Sequence, residues 1–216
     1  MTPYRLVRRR STAGEFHARA IPEPPMPELW VHEITAPALV LGSTQRNDIV
    51  DLAACRRAGI DVVRRRSGGG AVMLVPDQVV WVDLILPAGG PGWADDVHAP
   101  MVWFGEHLAA SFVAAGVDGV ATHRGAMVNT EWSRLVCFDG LGPGEVTSGD
   151  AKLVGISQRR TRHAARLQAC WYSTHDPSRL TELLLPEVDP ASLHPVATVP
   201  PALAAAVPAL LLDAIG

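Results

Sequence analysis

Three consecutive glycines, Gly68-Gly69-Gly70, stand between two stretches that read as β-strands, Asp61–Arg66 and Ala71–Val75. Glycine loses more backbone freedom on folding than any other residue, so three in a row inside a sheet are costly. They make sense where the turn needs positive φ or where a ligand must touch bare backbone. The chain must therefore form a sheet with a break in it, and the N–H groups of that break can bind carboxylate or phosphate oxygens. Arg65 and Arg66 lie on alternate sides of the strand before it, so one of them can bring a charge inward. The break is no Walker loop, because G-x-x-x-x-G-K-[ST] is absent, and no dinucleotide fingerprint. A plain glycine-rich hairpin is the alternative.

Further strands are expected at Leu29–Ile34, Ala38–Leu41, Val79–Leu86, Leu135–Phe138, Glu145–Ser148, Lys152–Arg160 and Arg166–Tyr172. Met101, Gly105, Leu108 and Phe112 recur on one face and predict a helix over Val97–Ala115. Shorter helices are expected at Ile49–Ala58 with Asp48 as cap, at Asp176–Leu185, and at Ala202–Ala214, kinked or broken near Pro208. Residues 1–27 read as an irregular segment, since Ile21-Pro22-Glu23-Pro24-Pro25-Met26-Pro27 cannot be helix. Strands and helices without regular βαβ alternation predict an α+β domain.

Hydrophobic residues make up 48% of the 216, enough for a real core, and the net charge of −3 gives no global basic field for nucleic acid. The Arg8-Arg9-Arg10 run is short and reads as a solvated tail. Cys55, Cys137 and Cys170 form no C-x-x-C pair and cannot all pair, which points to free thiols in a reducing compartment. No stretch has the ~20 apolar residues of a membrane span, and the start lacks the apolar core of a signal peptide. A cytoplasmic protein is expected. The histidines show no ligand spacing, and no metal site is expected.

Lys152 is the only lysine, beside 18 arginines. An ammonium is a compact point charge on a flexible stem, suited to a single oxygen, whereas guanidinium is a flat fork. Chance survival of one lysine in an arginine-biased composition is the bland alternative. Asp83 interrupts an apolar strand and needs a buried partner, for which the 64–66 arginines are the candidates; a role in holding a metal or nucleotide ranks second.

Together these residues resemble the lipoate–protein ligase and octanoyltransferase family, which is related to biotin–protein ligases. The resemblance rests on Arg64-Arg65-Arg66-Ser67-Gly68-Gly69-Gly70-Ala71-Val72, on Lys152-Leu153-Val154-Gly155-Ile156-Ser157-Gln158-Arg159, and on Leu41-Gly42-Ser43-Thr44-Gln45 upstream. It covers about residues 28–185. It implies a mixed β-sheet flanked by helices, akin to the class II aminoacyl-tRNA synthetase core; 28–216 is expected to be a single catalytic domain, departing from many ligases in lacking a C-terminal accessory domain. It also implies a ligase that uses ATP and Mg²⁺ to activate lipoate or octanoate as an acyl-adenylate. The acyl group then passes to a lysine of a lipoyl domain of a 2-oxoacid dehydrogenase, or of a glycine-cleavage H protein. Lys152 would be the catalytic charge on the carboxyl and α-phosphate oxygens. Arg65 would place the ligand, Ser67, Gly68, Gly69, Gly70 and Ala71 would line its carbonyl end, and Gly155 and Ser157 would leave room for nucleotide or acyl chain.

The chain departs from that family's pattern after Val72. Typical ligases carry His-Asp and then Gly-Asn, and here the stretch is Met73-Leu74-Val75-Pro76-Asp77-Gln78. Cys137-Phe138-Asp139 resembles a segment of one octanoyltransferase branch, whose cysteine forms an acyl-thioester. In that alternative Cys137 is the nucleophile, acyl carrier protein supplies octanoyl, and no ATP is used. A neighbouring ammonium would stabilise thiolate and oxyanion. The other readings of Cys137 and of the whole chain are a buried apolar thiol and a non-catalytic acyl-binding protein.

Overall fold

Side chains alternate across every strand, so each sheet has two faces to bury. The computed structural model, which describes residues 4–216, solves this with stacked layers. The strands are β1 (Arg5–Ser11), β2 (Glu28–Ile34), β3 (Ala38–Leu41), β4 (Asp61–Arg64), β5 (Val72–Leu74), β6 (Val79–Pro87), β7 (Val120–Thr122), β8 (Val146–Ser148), β9 (Ala151–Arg160) and β10 (Ala164–Tyr172). The helices are α1 (Ala13–Ala18), α2 (Leu52–Arg57), α3 (Ala99–Ala114), α4 (Ser178–Thr181) and α5 (Pro201–Ile215). A seven-stranded sheet runs β1-β2-β6-β10-β9-β8-β7, and a three-stranded sheet runs β4-β3-β5. Both are mixed: β1 runs parallel to β2 and β3 parallel to β4, while the other ladders are antiparallel.

One face of the large sheet (Leu29, Val82, Leu84, Leu167, Trp171) packs against Phe104, Leu108 and Phe112 of α3 and Val207 and Leu211 of α5. The opposite face carries Trp81 and Tyr172 and meets Phe16 of α1, Val40 of β3 and Val72 and Leu74 of β5. The far side of the small sheet (Leu39, Leu41, Met73) is covered by Cys55 of α2 and Leu180 of α4. Tyr172 Oη donates to the Met73 carbonyl at 2.9 Å and ties the sheets together. The space between the sheets, at the glycine break, is where the site forms.

Several expected elements are corrected. Within the segment expected to be irregular, residues 5–18 form β1 and α1. A capping box starts α1, with Thr12 accepting from Glu15 N and Glu15 accepting from Thr12 N. The helix expected over Ile49–Ala58 is a 3₁₀ turn at Asn47–Ile49 followed by α2. Its cap is Asp51, not Asp48, with Oδ1 accepting from Ala53 N and Ala54 N. The expected strand Leu135–Phe138 is a single bridge, Val136 to Ala71, running into a 3₁₀ turn at Cys137–Asp139. The helix expected at Asp176–Leu185 is the shorter α4. α5 runs through Pro208 unbroken. Proline has no N–H to offer the carbonyl four residues back, and that carbonyl, of Ala204, instead accepts Trp171 Nε1 at 3.2 Å. No helix among the described residues is long and apolar enough to cross a membrane.

Candidate active site

The glycine break needs glycine at two of its three positions. Gly69 has φ +99°, and a Cβ there would sit 2.7 Å from Arg65 Nη2. A Cβ on Gly70 would lie 2.6 Å from Cys137 N and from the Val136 carbonyl carbon, so its absence lets the break lie directly on the Cys137 segment. Two backbone bonds clamp that contact: Ala71 N donates to Leu135 O at 2.7 Å and Cys137 N to Ala71 O at 3.0 Å. A Cβ on Gly68 would meet open space. Gln45 of the upstream motif also braces the segment, donating to the carbonyls of Arg134 and Leu135 at 3.1 and 3.0 Å.

Arg65 is the inward arginine of the run. Buried to 5% exposure, it donates from Nη2 to Gly68 O at 2.7 Å and to Gly70 O at 2.8 Å, and the same nitrogen lies 3.9 Å from Cys137 Sγ. Because a trans peptide points its N–H opposite its carbonyl, the Gly69 N–H faces away from Arg65. It donates to no acceptor among the described residues, and Gly69 lines a separate depression with Gln45, Ser133 and Leu135. Arg64 instead serves structure, donating to Gly42 O at 3.0 Å.

Lys152 is buried and fully engaged inside the protein. Its Nζ lies 2.9 Å from Cys137 O, 2.8 Å from Gly140 O and 2.7 Å from Glu145 Oε2. Glu145, buried as well, also accepts from Gly142 N at 2.6 Å and Ile156 N at 3.0 Å. Lys152 thus holds the carbonyl of Cys137, and the Arg65 guanidinium brings a second cation to that residue, at its sulfur. Gly155 makes room for Phe138, whose ring a Cβ would approach to 3.0 Å. Ser157 Oγ bonds Ser67 Oγ at 2.9 Å, and Ser67 reaches Gln168 Oε1 at 3.4 Å.

These residues line a small cavity of about 50 Å³, with Cys137, Arg65, Gly155 and Ser157 at one side and apolar Val40, Leu74, Trp81 and Ile156 elsewhere. Cys170 is on its floor, but burial, with the charge of Cys137 adding to it, pushes that thiol up to about 12. It stays protonated and is no nucleophile. Cys55 is buried on α2, outside the cavity.

Asp83 has a buried partner, but not in the 64–66 run. Arg166 Nε donates to Asp83 Oδ2 at 2.8 Å, His32 Nε2 lies 2.8 Å from the same oxygen, and Trp81 Nε1 donates to Oδ1 at 2.8 Å. Burial alone would raise the Asp83 carboxyl, but His32 and Arg166 outweigh it and hold it below the usual range. Arg166 also donates to Phe16 O at 2.8 Å and Arg19 O at 2.9 Å, a cation on the C-terminal carbonyls of α1. Sequence reasoning missed α1, Arg166, Glu145 and His17. The Thr12-x-x-Glu15 capping signature was the available signal for α1.

The walls of the cavity carry no carboxylate, and the nearby ones are engaged: Glu145 by Lys152 and two amides, Asp139 by Thr130 and His194. Among the described residues no cluster of three or more His, Cys, Asp or Glu could hold a metal. Lys152 Nζ directs its three hydrogens to Cys137 O, Gly140 O and Glu145 Oε2.

Residues 15–207 match the family described as the Lipoyl protein ligase A/B catalytic domain. Octanoyltransferase LipM of Clostridioides difficile (strain 630) is 28% identical over 123 residues, 56% of this chain and 45% of that protein. Octanoyltransferase LipM of Moorella thermoacetica is 28% identical over 137 residues, 62% of this chain and 49% of that protein. The match thus spans about half the length of these relatives. Among solved structures, lipoate-protein ligase A bound with ATP superposes with TM-score 0.75 at 18% identity, over 99% of this chain and 84% of that one. The bipartite lipoate protein ligase of Thermoplasma acidophilum, described with its E2 lipoyl domain, gives 0.72 at 18% identity, over 99% and 82%. The fold is therefore that of the lipoate–protein ligase catalytic domain.

Proposed function

Since the chain belongs to the Lipoyl protein ligase A/B catalytic domain family, we propose that it transfers a medium-chain acyl group through a Cys137 thioester, without ATP. The observation that carries this reading is the Cys137 sulfur on the wall of an apolar cavity, 3.9 Å from the Arg65 guanidinium and beside the glycine break. The two relatives named octanoyltransferase support it.

In the first step the Cys137 sulfur attacks the carbonyl of an acyl thioester, for which acyl carrier protein is the donor of choice. A C–S bond forms, the donor's C–S bond breaks, and the donor thiol leaves with a proton. Arg65 stabilises negative charge on the attacking sulfur. In the second step the ε-amine of a lysine on a lipoyl domain or a glycine-cleavage H protein attacks that thioester. A C–N bond forms, the Cys137 sulfur leaves, and it regains the proton lost by the amine. Lys152 acts as a positioning residue, fixing the turn that presents Cys137. The apolar walls beside Cys137 face the start of the acyl chain.

The test supplies octanoyl-acyl carrier protein and an apo lipoyl domain without nucleotide, and weighs both proteins. An acyl adduct on Cys137, with transfer abolished in Cys137→Ser, is the expected result. Transfer from free lipoate or octanoate that requires ATP and survives Cys137→Ser would overturn it and favour the acyl-adenylate route.

A further inference from the structure

Most arginines near the glycine break have acceptors. Arg64 donates to Gly42 O, and Arg65 donates to Gly68 O and Gly70 O. Arg160 donates to Asp96 O at 3.0 Å and stacks on Trp93, and Arg166 is held by Asp83. Arg66 and Arg159 are the exceptions. Neither forms an ion pair among the described residues. Both line a surface pocket of about 130 Å³, together with Pro22 and Glu23 and with Thr161 and His163 from the turn between β9 and β10. That pocket shares no residue with the cavity at Cys137.

Ser67 Oγ and Ser157 Oγ lie 2.9 Å apart and join the segment after β4 to β9. Arg66 directly precedes Ser67, and Arg159 lies two residues beyond Ser157 on the same face of β9. Across the register from Arg159 stands Arg166, whose charge Asp83 already meets. Glu23, exposed on the rim, is the one carboxylate of the lining, and it lies beyond ion-pair distance of both arginines. Burial, and then the charges of Arg66 and Arg166, pull the Arg159 guanidinium below its ordinary value. Two guanidiniums that repel each other at one pocket are stabilised by an anion between them.

We propose that Arg66 and Arg159 form a binding site for the phosphoryl group of a phosphate ester. A guanidinium fork matches two phosphate oxygens, and two forks at one pocket take the free oxygens of an ester between them. A pocket of about 130 Å³, against ~30 Å³ for each water of the liquid, has room for a phosphoryl group and leaves the rest of the ester at the surface. Two sources carry this chemistry. One is the phosphodiester of a pantetheine-type thiol carrier, the donor that the Cys137 reading calls for. The other is a nucleotide, which an acyl-adenylate route calls for. The site stands without that choice, and its occupant bears on it.

Calorimetric titration of the full-length protein at low salt compares phosphopantetheine with pantetheine, and AMP with adenosine. At least one phosphorylated compound is expected to bind about tenfold more tightly than its dephosphorylated twin, as charge-assisted hydrogen bonds to phosphate provide. Arg66→Gln and Arg159→Gln each bring that pair within about twofold. Arg162→Gln, which removes an exposed arginine outside the pocket, leaves the difference in place. An advantage in the pantetheine pair identifies a carrier arm, and one in the AMP pair a nucleotide. No advantage in either pair overturns the site. So does an advantage that survives both pocket variants, or one lost equally in Arg162→Gln, which marks a general field. Cooperative thermal transitions check that the variants fold, and if one pocket variant does not, the other decides. No turnover is read, so failure of acyl transfer through Cys137 leaves this result standing and is told apart from it.

Discussion

Lys152 supplies three donor hydrogens, and the protein uses all three, on Cys137 O, Gly140 O and Glu145 Oε2. That explains why an arginine-rich chain keeps one lysine: three acceptors converge on a point, which suits an ammonium and not a planar fork. Replacing Lys152 by Met strands the buried Glu145 charge and costs about 3–5 kcal/mol, whereas the double change Lys152→Met/Glu145→Gln recovers most of it. Urea unfolding midpoints of the two variants check this; equal losses in both would show that Glu145 is not the partner. Lys152→Arg loses acyl transfer although its charge is kept, because the turn bearing Cys137 moves. The uniqueness of Lys152 was plain in the sequence. Its partners were not, because Glu145 and Gly140 reach it only through the fold of the segment between β7 and β9.

The glycine break and the Cys137 turn function as one element, although about 70 residues separate them. Contact between them depends on a missing Cβ at Gly70, where an added methyl would meet backbone at 2.6 Å. Gly70→Ala therefore destabilises by about 1–3 kcal/mol, the usual range for overpacking, and lowers transfer more than tenfold. Gly68→Ala, with open space around its Cβ, leaves both within a factor of two. Steady-state transfer rates and thermal midpoints separate the two, and equal effects would count against the contact. The Arg65-x-Ser67-Gly68-Gly69-Gly70 and Lys152-x-x-Gly155 segments stood out by composition alone. Which of the three glycines matters sterically was decided by what packs on them. At the other end of the chain, the same kind of outside contact keeps α5 whole: proline chemistry predicted a break at Pro208, and the Trp171 indole on the Ala204 carbonyl removes the reason for one.

Across the whole molecule, the polar layer between the sheets sets its response to acid. Burial holds His17 well below its ordinary value of 6.5, near 3, so the unfolded chain binds the extra proton and stability falls as pH drops below about 6.5. Asp83, held below the usual carboxylate range, adds a loss at lower pH, as it protonates. Lowering the pH from 7.5 to 5 costs up to about 2 kcal/mol through His17, at ~1.4 kcal/mol per unit below 6.5. His17→Leu flattens that slope, while the loss below about pH 4 remains; urea titrations at several pH values read both, and an unchanged slope in the variant would refute the assignment. The sequence by itself determined the α+β class, most strands of the two sheets, the long helix and the motif residues Arg65, Gly69, Gly70, Cys137 and Lys152. Strand alternation, turn chemistry and helix period are local properties, and short windows carry them. Only the tertiary structure decided that Arg65 reaches the sulfur, that Lys152 pairs with Glu145, that Asp83 pairs with Arg166 and His32, and that His17 of α1 lines the cavity. Those are pairings between residues distant in the chain, fixed by sheet register and by the packing of α1, and no local pattern encodes them.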